Sequence, residues 1–239
     1  MNKVYLGDCL EVMPELPDKS VDLILCDLPY GVTNRNTWDN IIPLDSLWGQ
    51  YKRVIKDNGA IVLTSSQPFT SKLIISNLSW FKYTWVWDKV NKFSGHLNSK
   101  IQPLRVTEDI CVFYNNQPTY NPIMLEGKPY TATSSGNKSS NFGEQIDNVK
   151  TVNTGWYYPK NLISIKGDMR GSEGRIHPTQ KPVALFEYLI KTYTNEGDLV
   201  LDNCAGSGTT GVACQNLNRN YILIEKDPKY YEIILKRLE

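Results

Sequence analysis

The residues that most constrain the fold lie near the C-terminus, where an apolar run leads into a glycine-rich turn. Leu199–Leu201 is followed by Gly206, Gly208 and Gly211 in the pattern Gly-x-Gly-x-x-Gly. Glycines at this spacing allow a tight turn and bring a ligand close to the backbone N–H groups that begin a helix. The turn therefore predicts a parallel α/β sheet with a cofactor site at its edge, although helix–sheet packing alone can also require such glycines.

The position of this turn in the chain limits the kind of cofactor-binding protein that the sequence encodes. Glu225 follows Gly206 by nineteen residues and ends the apolar run Tyr221–Ile224, where a carboxylate can accept hydrogen bonds from ribose hydroxyls. By motif alone this pattern also fits an NAD-dependent oxidoreductase. Only fourteen residues follow Glu225, enough for one helix over Asp227–Leu238. The other strands of the sheet must therefore come from the N-terminal half of the chain.

Short apolar runs alternate with amphipathic stretches at both ends of the chain. Apolar residues recur at helical spacing in Asp45–Ile55 and Lys181–Tyr193, and we expect Asp57–Gly59 to end the first of these helices. The runs that are typical of buried strands are Val4–Gly7, Val21–Cys26, Ala60–Thr64, Tyr83–Trp87, Ile110–Tyr114, Leu199–Leu201 and Tyr221–Ile224. This alternation predicts an α/β fold with a largely parallel sheet covered on both faces.

The middle of the chain has a different composition. Glu126–Gly155 is rich in Ser, Thr, Asn and Gly and carries few large apolar residues, which indicates a loop or insertion and not core. An aromatic cluster at Trp156–Pro159 follows, and Asn161–Lys166 has the composition of a short strand. We expect about 115–175 to form a small appended region.

Charge and cysteine content exclude several classes of protein. The net charge is +1, yet residues 82–105 and 150–181 each carry a net charge of +4, so two basic segments are available to face a polyanion. The five cysteines are odd in number and widely spaced, which argues against a disulfide framework or a thiolate zinc site and fits a reducing cytoplasm. The presence of only two histidines argues against a His-rich metal centre, and no apolar run is long enough to span a membrane.

A second motif directly follows the run Val21–Cys26. Asp27, Leu28, Pro29 and Tyr30 would lie at the carboxyl end of a strand, where open α/β sheets bind ligands. Pro29 restrains the backbone, so that the Leu28 carbonyl and the Asp27 carboxylate can both accept hydrogen bonds from one exocyclic amino group. Tyr30 offers a flat face for a planar ring. The tetrapeptide alone is also compatible with an ordinary type I turn.

Together the two motifs resemble those of the β-class DNA amino-methyltransferases, in which the catalytic tetrapeptide precedes the turn that binds S-adenosylmethionine. Leu28 stands in a variable place that is usually Pro, and Asp202–Thr210 is similar to the cofactor motif with Asn203 and Cys204 as departures. Asp27–Asn40 also resembles phage-encoded members. Three further segments match the family: Gly7–Leu10, Glu108–Ile110 and His177–Pro182.

The resemblance implies a Rossmann-like S-adenosylmethionine-dependent methyltransferase sheet that is circularly permuted and carries a small inserted target-recognition region. Residues 1–115 would form the catalytic half of the sheet, 116–175 the inserted region, and 176–239 the cofactor-binding half. The implied activity is transfer of a methyl group to the N6 amino group of adenine in DNA, by direct in-line attack after base flipping. N4-cytosine methylation and a non-catalytic relative remain alternatives.

The resemblance also implies roles for individual residues. Asp8 would accept from the adenine of the cofactor, Glu225 would hold its ribose, and Thr179 and Lys181 would lie near its carboxylate. The implied catalytic residues are Asp27, Leu28, Pro29 and Tyr30, with no metal. The implied cofactor-binding residues are Asp8, Cys9, Leu10, Thr179, Lys181, Asp202, Cys204, Gly206, Ser207, Gly208, Thr209 and Glu225.

The expected partner is double-stranded DNA, with a homodimer as a further possibility, in the cytoplasm of a bacterial or phage-infected cell. Basic and aromatic side chains in the appended region and in the loops near the tetrapeptide are candidates for phosphate and base contacts. The residues expected to contact DNA are Arg35, Trp38, Lys89, Lys92, Tyr157, Lys160, Arg170 and Arg175.

Overall fold

The protein is seen in a computed structural model that describes residues 2–31, 40–133, 150–167 and 180–239. Its strands are β1 (Lys3–Leu6), β2 (Val21–Asp27), β3 (Ile55–Ser65), β4 (Phe81–Asp88), β5 (Thr107–Phe113), β6 (Leu125–Glu126), β7 (Tyr130–Thr133), β8 (Lys150–Asn153), β9 (Trp156–Tyr157), β10 (Leu162–Ser164), β11 (Leu199–Asp202) and β12 (Asn220–Glu225). Its α-helices are α1 (Cys9–Val12), α2 (Leu44–Val54), α3 (Phe69–Ser76), α4 (Val183–Tyr193), α5 (Thr209–Asn216) and α6 (Pro228–Leu238).

Within the described residues, eight strands form one sheet in the order β1-β12-β11-β2-β3-β5-β4-β10. Neighbouring strands are parallel except where β5 runs antiparallel to β3 and β4. The first strand of the chain pairs with the last, with Leu6 opposite Glu225, so the two ends of the sequence meet in one half of the sheet. The predictions of a permuted, largely parallel α/β sheet are confirmed.

Helices cover both faces of the sheet, and β2 shows why its sequence is almost continuously apolar. Ile24 and Cys26 belong to an apolar cluster that includes residues of α2 and α3. Leu23 and Leu25 belong to a second cluster that includes residues of α4, α5 and α6. A strand buried on both sides has no need of alternating polar residues, and its carboxyl end is thereby held rigidly.

One boundary differs from the prediction. Asp57–Gly59 does not end a helix: α2 ends at Val54, and these residues lie within β3. The pairing of β3 with β2 is irregular between Val21 and Leu23 and becomes regular where Leu23 faces Ala60. A Cβ on Gly59 would lie 2.8 Å from the Asp22 carbonyl oxygen, so the glycine permits a close approach of two strands.

Residues Pro122–Lys160 form a second compact unit. The sequence suggested a loop for Glu126–Gly155, whereas the described part of this unit contains two antiparallel pairs, β6 with β9 and β7 with β8. The short strand expected within Asn161–Lys166 is present as β10, parallel to β4. In the described parts of the chain, every helix is too short or too polar to span a bilayer.

Candidate active site

The Asp27 carboxylate is the most heavily hydrogen-bonded acceptor at the carboxyl end of β2. Its Oδ1 atom accepts from the Tyr30 hydroxyl at 2.8 Å and from the Thr64 hydroxyl. Thr64 lies opposite Asp27 in the register of β2 and β3, so the sheet itself brings these two side chains together. The Lys181 ammonium donates to both carboxylate oxygens at 2.7 Å. This arrangement holds a carboxylate in one orientation.

The Tyr30 side chain is packed as well as hydrogen-bonded. Its ring stacks on Phe69 of α3, with the centroids 5.3 Å apart and the planes 23° from parallel. Its hydroxyl also lies 3.0 Å from the Thr64 hydroxyl. Burial and the Asp27 carboxylate raise the pKa of Tyr30 well above its ordinary value, so the hydroxyl keeps its proton and remains a donor to Asp27. Leu28, between Asp27 and Pro29, is 4 % exposed.

Two lysines and a second carboxylate extend the site away from Asp27. Glu108 Oε1 lies 2.9 Å from Lys89 Nζ, and Glu108 Oε2 lies 3.4 Å from Lys181 Nζ. Burial would lower the pKa of Lys181, but the Asp27 and Glu108 carboxylates raise it overall. Burial would likewise raise the pKa of Glu108, but Lys181 and Lys89 lower it overall. The ion pairs Lys89–Glu108, Glu108–Lys181 and Lys181–Asp27 thus place acidic and basic groups in alternation.

This row of charges bears on the roles expected for two lysines. Lys89 is 6 % exposed and pairs with Glu108, and its expected contact with DNA stays a prediction. Lys181, expected beside the carboxylate of a cofactor, is 7 % exposed and engages Asp27. Its proposed contact with the cofactor stays a prediction.

The glycine turn between β11 and α5 is open on one side. Gly206 and Gly208 have φ values of +55° and +80°, which only glycine adopts readily. A Cβ on Gly206 would meet no atom of the described residues within 4 Å, so these residues leave its backbone accessible. The Gly206 N–H donates to Glu225 Oε2 at 2.7 Å, and the Asp227 N–H donates to Oε1 at 2.9 Å. Burial raises the pKa of Glu225 overall.

Buried polar groups stabilise this turn through hydrogen bonds. Asp202 accepts from the Cys204 N–H at 3.1 Å and from the Thr210 hydroxyl, and burial raises its pKa to about 6. The Ser207 hydroxyl donates to Gln180 Oε1 at 2.9 Å, and Arg237 Nη1 donates to the Ser207 carbonyl at 2.9 Å. Ser207 and Thr209 are almost fully buried. These contacts indicate that Asp202, Ser207 and Thr209 shape the turn.

Asp8 lies at the end of β1, beside the end of β12. The Gly7 N–H donates to the Glu225 carbonyl at 2.9 Å, which places the Asp8 and Glu225 segments side by side. Asp8 Oδ1 accepts from the Leu10 N–H at 2.9 Å, and Oδ2 pairs with Lys226 Nζ at 2.8 Å. The hydrogen bond from Lys226 lowers the pKa of Asp8. Cys9 is buried at the start of α1, and Leu10 is half-buried.

Parallel pairing brings these segments to one edge of the sheet. Strands β1, β12, β11 and β2 are consecutive and parallel, so their carboxyl ends share one edge, where α/β proteins bind ligands. Among the described residues, no group of three or more His, Cys, Asp or Glu side chains is arranged to hold a metal ion. The chemistry available at this edge is acceptance of hydrogen bonds by carboxylates and donation by backbone N–H groups.

Several residues expected at the site remain predictions. Arg35, Trp38, Arg170, Arg175 and Thr179 lie outside the described residues.

The remaining candidates for DNA contact are described. Lys92 is half-buried, and its side chain packs against Gly167. Tyr157 stacks on Tyr130 with the centroids 6.1 Å apart and donates its hydroxyl to the Lys128 carbonyl. Lys160 is exposed. Their role in DNA binding stays a prediction.

Sequence reasoning missed three contributors to the site. Thr64 and Phe69 were not singled out, and Glu108 was quoted as part of a matching segment without a role. Thr64 could have been found, because it ends the buried run that precedes the next helix. Neighbouring parallel strands end at the same edge of a sheet, which places Thr64 near the tetrapeptide. No sequence signal joins Phe69 to Tyr30, since their contact depends on how α3 packs.

Comparisons with known proteins identify the family and the fold. The DNA methylase family model matches residues 21–236. Type II methyltransferase M.HinfI of Haemophilus influenzae is 26% identical over 265 residues, covering 100% of this chain and 68% of the relative. DNA adenine methyltransferase YhdJ of Escherichia coli is 28% identical over 249 residues, covering 98% of this chain and 81% of the relative.

Solved structures share the fold. The structure of the M1.HpyAVI–SAM complex is 28% identical, covers the full length of both chains and superimposes with a TM-score of 0.67. PvuII DNA methyltransferase, described as cytosine-N4-specific, is 19% identical with a TM-score of 0.72, over 99% of this chain and 86% of that chain; at this identity it shows the fold alone. Because the family match spans most of the sequence, this chain belongs to the DNA methylase family.

Proposed function

We propose that this protein transfers the methyl group of S-adenosylmethionine to the N6 amino group of adenine in double-stranded DNA. The observation that carries the proposal is the Asp27 carboxylate, which Thr64 and Tyr30 orient at the end of β2. That end lies in the sheet beside β11, which leads into the open glycine turn. An acceptor for the target amino group and a turn suited to the methyl donor therefore share one edge.

The chemistry of the turn fits S-adenosylmethionine. The open space over Gly206 admits a ligand to the backbone, and the Glu225 carboxylate can accept from ribose hydroxyls while it keeps its two backbone donors. Asp8, at the adjoining strand end, offers an acceptor for an adenine amino group. When bound, S-adenosylmethionine supplies a methyl group activated by a sulfonium. The M1.HpyAVI relative, which is named as a SAM complex, supports this assignment.

The residues around Asp27 would act on the target base. A base in a duplex must leave the stack before its amino group can reach such an edge. Asp27 Oδ2 and the Leu28 carbonyl would accept the two amino N–H groups, which directs the nitrogen lone pair away from them. As the bond from this nitrogen to the methyl group forms and the sulfonium–methyl bond breaks, positive charge would develop on the nitrogen, and the carboxylate would stabilise it more than it stabilises the neutral amine. The nitrogen would then lose its surplus proton to water. Because the attack is direct, none of the cysteines has a catalytic role.

Two observations support adenine as the target. The first residue of the tetrapeptide is Asp27 and not Ser, which the resemblance to the β-class DNA amino-methyltransferases implies as a preference for adenine over cytosine. The relative YhdJ is named as an adenine methyltransferase. We also propose that residues 116–175 recognise the DNA target, with Tyr157 and Lys160 among the contacts. A homodimer stays a prediction, which light scattering of the purified protein tests.

The test is nucleoside mass spectrometry of DNA from a host that lacks its own DNA methylation. We expect N6-methyladenine above the empty-vector level with the wild-type chain, and loss of that signal with Asp27→Ala. The S-adenosylmethionine affinity of Asp27→Ala should stay within about threefold, a change of well under 1 kcal/mol. Asp57→Ala is the matched control, because it removes an exposed carboxylate paired with Lys19 at 2.9 Å, outside the strand-end site.

Each other outcome changes the proposal in a defined way. N4-methylcytosine in place of N6-methyladenine would overturn the base assignment and keep the role of Asp27. Neither mark, from folded protein that binds S-adenosylmethionine, would overturn DNA as the substrate. Full activity of Asp27→Ala would remove Asp27 from the mechanism.

A further inference from the structure

We propose that Lys181 occupies the Asp27 carboxylate until the target base arrives, and that Glu108 then draws the ammonium away. Lys181 and Glu108 would thus be positioning residues that prepare Asp27 for the reaction. This inference rests on the proposed function, in which Asp27 accepts the amino group of the target.

The distribution of donors around Asp27 identifies the position for which lysine and target compete. Oδ1 receives the Thr64 and Tyr30 hydroxyls as well as Lys181. Among the described residues, Oδ2 has Lys181 as its recorded donor, at 2.7 Å. The target amino group would therefore bind at Oδ2, where the ammonium already lies. Loss of Lys181 from Asp27 would leave the carboxylate oriented by its two hydroxyl donors.

The presence of the Lys181 ammonium on Asp27 would slow methyl transfer for an electrostatic reason. The reaction places positive charge on the target nitrogen beside Asp27. An ammonium on the same carboxylate would repel that charge at close range, in a site where burial strengthens every interaction between charges. Removal of the ammonium before methyl transfer would give Asp27 its full effect on the transition state.

Glu108 provides the place to which the ammonium can move. Its Oε2 atom is buried and makes no hydrogen bond to any described residue, yet it lies 3.4 Å from Lys181 Nζ. Its Oε1 atom is held by Lys89 at 2.9 Å, so the carboxylate stays fixed while the lysine moves. A displacement of Nζ by roughly 0.5 Å would bring it to an ordinary hydrogen-bond distance from Oε2. A further rotation of the Lys181 side chain about Glu108 would then take the ammonium off Asp27. In both positions Lys181 remains paired, as a buried charge requires.

The position of the Lys181 ammonium on Asp27 also stabilises the site before a base binds. In the absence of a bound base, Lys181 donates to Oδ2 of this partly buried carboxylate. Lys181 satisfies that oxygen, and its ammonium lies 5.5 Å from the centroid of the Tyr30 ring, a distance at which a cation and an aromatic face attract each other. The lysine thereby holds both side chains of the tetrapeptide in place until they are used.

The experiment is a double-mutant cycle with single-turnover methylation of duplex DNA as the readout. In Glu108→Gln the ammonium has no second carboxylate and stays on Asp27, so we expect the rate to fall by about tenfold or more, the effect of one charged hydrogen bond. In Glu108→Gln/Lys181→Met the competing cation is absent, so we expect the rate to exceed that of Glu108→Gln by about fivefold or more. The affinity for S-adenosylmethionine should stay within about threefold in all variants.

Two controls separate this effect from damage to the fold. Lys56→Met removes an ion pair of the same 2.7 Å length, between Lys56 and Asp22 at the opposite end of β2, and should leave the rate unchanged. Glu108→Asp keeps the charge but moves it away from Lys181 by one methylene, so it should slow the reaction in the same direction as Glu108→Gln. Circular dichroism establishes which variants fold, and Glu108→Asp replaces Glu108→Gln in the cycle if the latter does not.

Three results would overturn the inference. A double variant no faster than Glu108→Gln would show that Glu108 only supports the structure. A tenfold loss of S-adenosylmethionine affinity in Lys181→Met would make the lysine a ligand of the cofactor, as the sequence resemblance implied. If the wild-type protein methylates no DNA, the proposed function fails and the inference fails with it, whereas an active wild type with an unaffected Glu108→Gln overturns the inference alone.

Discussion

Replacement of Tyr51 by Phe tests how the cofactor turn is held against the rest of the sheet. The Tyr51 hydroxyl, on α2, donates to Asn203 Oδ1 at 2.6 Å. Tyr51 is fully buried and Asn203 is 2 % exposed, so water has no access to either partner. Asn203 is the first residue after β11. The phenylalanine ring fills the same space as tyrosine but leaves the Asn203 amide oxygen without this donor.

The expected cost follows from that burial. A buried acceptor left without a donor costs about 1–3 kcal/mol, because the group keeps its desolvation penalty. In a chain of this length each 1 kcal/mol lowers the unfolding temperature by about 2–4 °C. We therefore expect Tyr51→Phe to lower the melting temperature by about 4–8 °C, at ~2 kcal/mol.

Urea unfolding followed by circular dichroism measures the change in free energy directly. Tyr158→Phe is the matched control, because it removes the same atom from a side chain that is 74% exposed and should change stability by less than about 0.5 kcal/mol. If Tyr51→Phe is no less stable than this control, the hydrogen bond to Asn203 contributes nothing, and the reasoning from buried polar pairs is refuted for this site.

Three further predictions concern the strand ends. Thr64→Val removes a donor to Asp27 and should slow single-turnover methylation by about tenfold without weakening S-adenosylmethionine binding; an unchanged rate would contradict this role. Asp202 has a pKa raised by burial from 3.8 to about 6, so the folded state holds its proton more tightly and this group's contribution to stability falls as pH rises between about 4 and 6. The free energy of unfolding of Asp202→Asn, relative to that of the wild type, should therefore be higher at pH 7.5 than at pH 5 in urea titrations. A difference that is the same at both pH values would refute the pKa shift. Gly208→Ala, at φ +80°, should lower the stability by about 1–2 kcal/mol. Gly49→Ala, within α2 and with no atom of the described residues within 4 Å of its Cβ, should raise it by about 0.5–1 kcal/mol. Equal effects in thermal unfolding would contradict the strained turn.

Much of the fold was predictable because its signals are local. The apolar run Val21–Cys26 is buried on both faces, and such a run has few alternatives to a central strand. The glycine turn after β11 and the tetrapeptide after β2 each follow a strand directly, so their place at a carboxyl end follows from the sequence. The end of α2 was misplaced because Asp57–Gly59 has the composition of a helix stop, while pairing of Ile55 with Val21 begins the strand earlier.

The sequence by itself determined the largely parallel sheet, the glycine turn and the place of Asp27 at the end of a strand, since short-range pattern and chain order suffice for these. Only the tertiary structure decided what surrounds Asp27. Lys181 lies 154 positions away in the chain, and Thr64 lies 37 positions away, so no local pattern joins them. Lysine is a residue type usually found at the surface, yet Lys89 is buried and pairs with Glu108 of β5. Burial makes an unpaired charge costly, and pairing across the fold is therefore what assigns each of these side chains its partner.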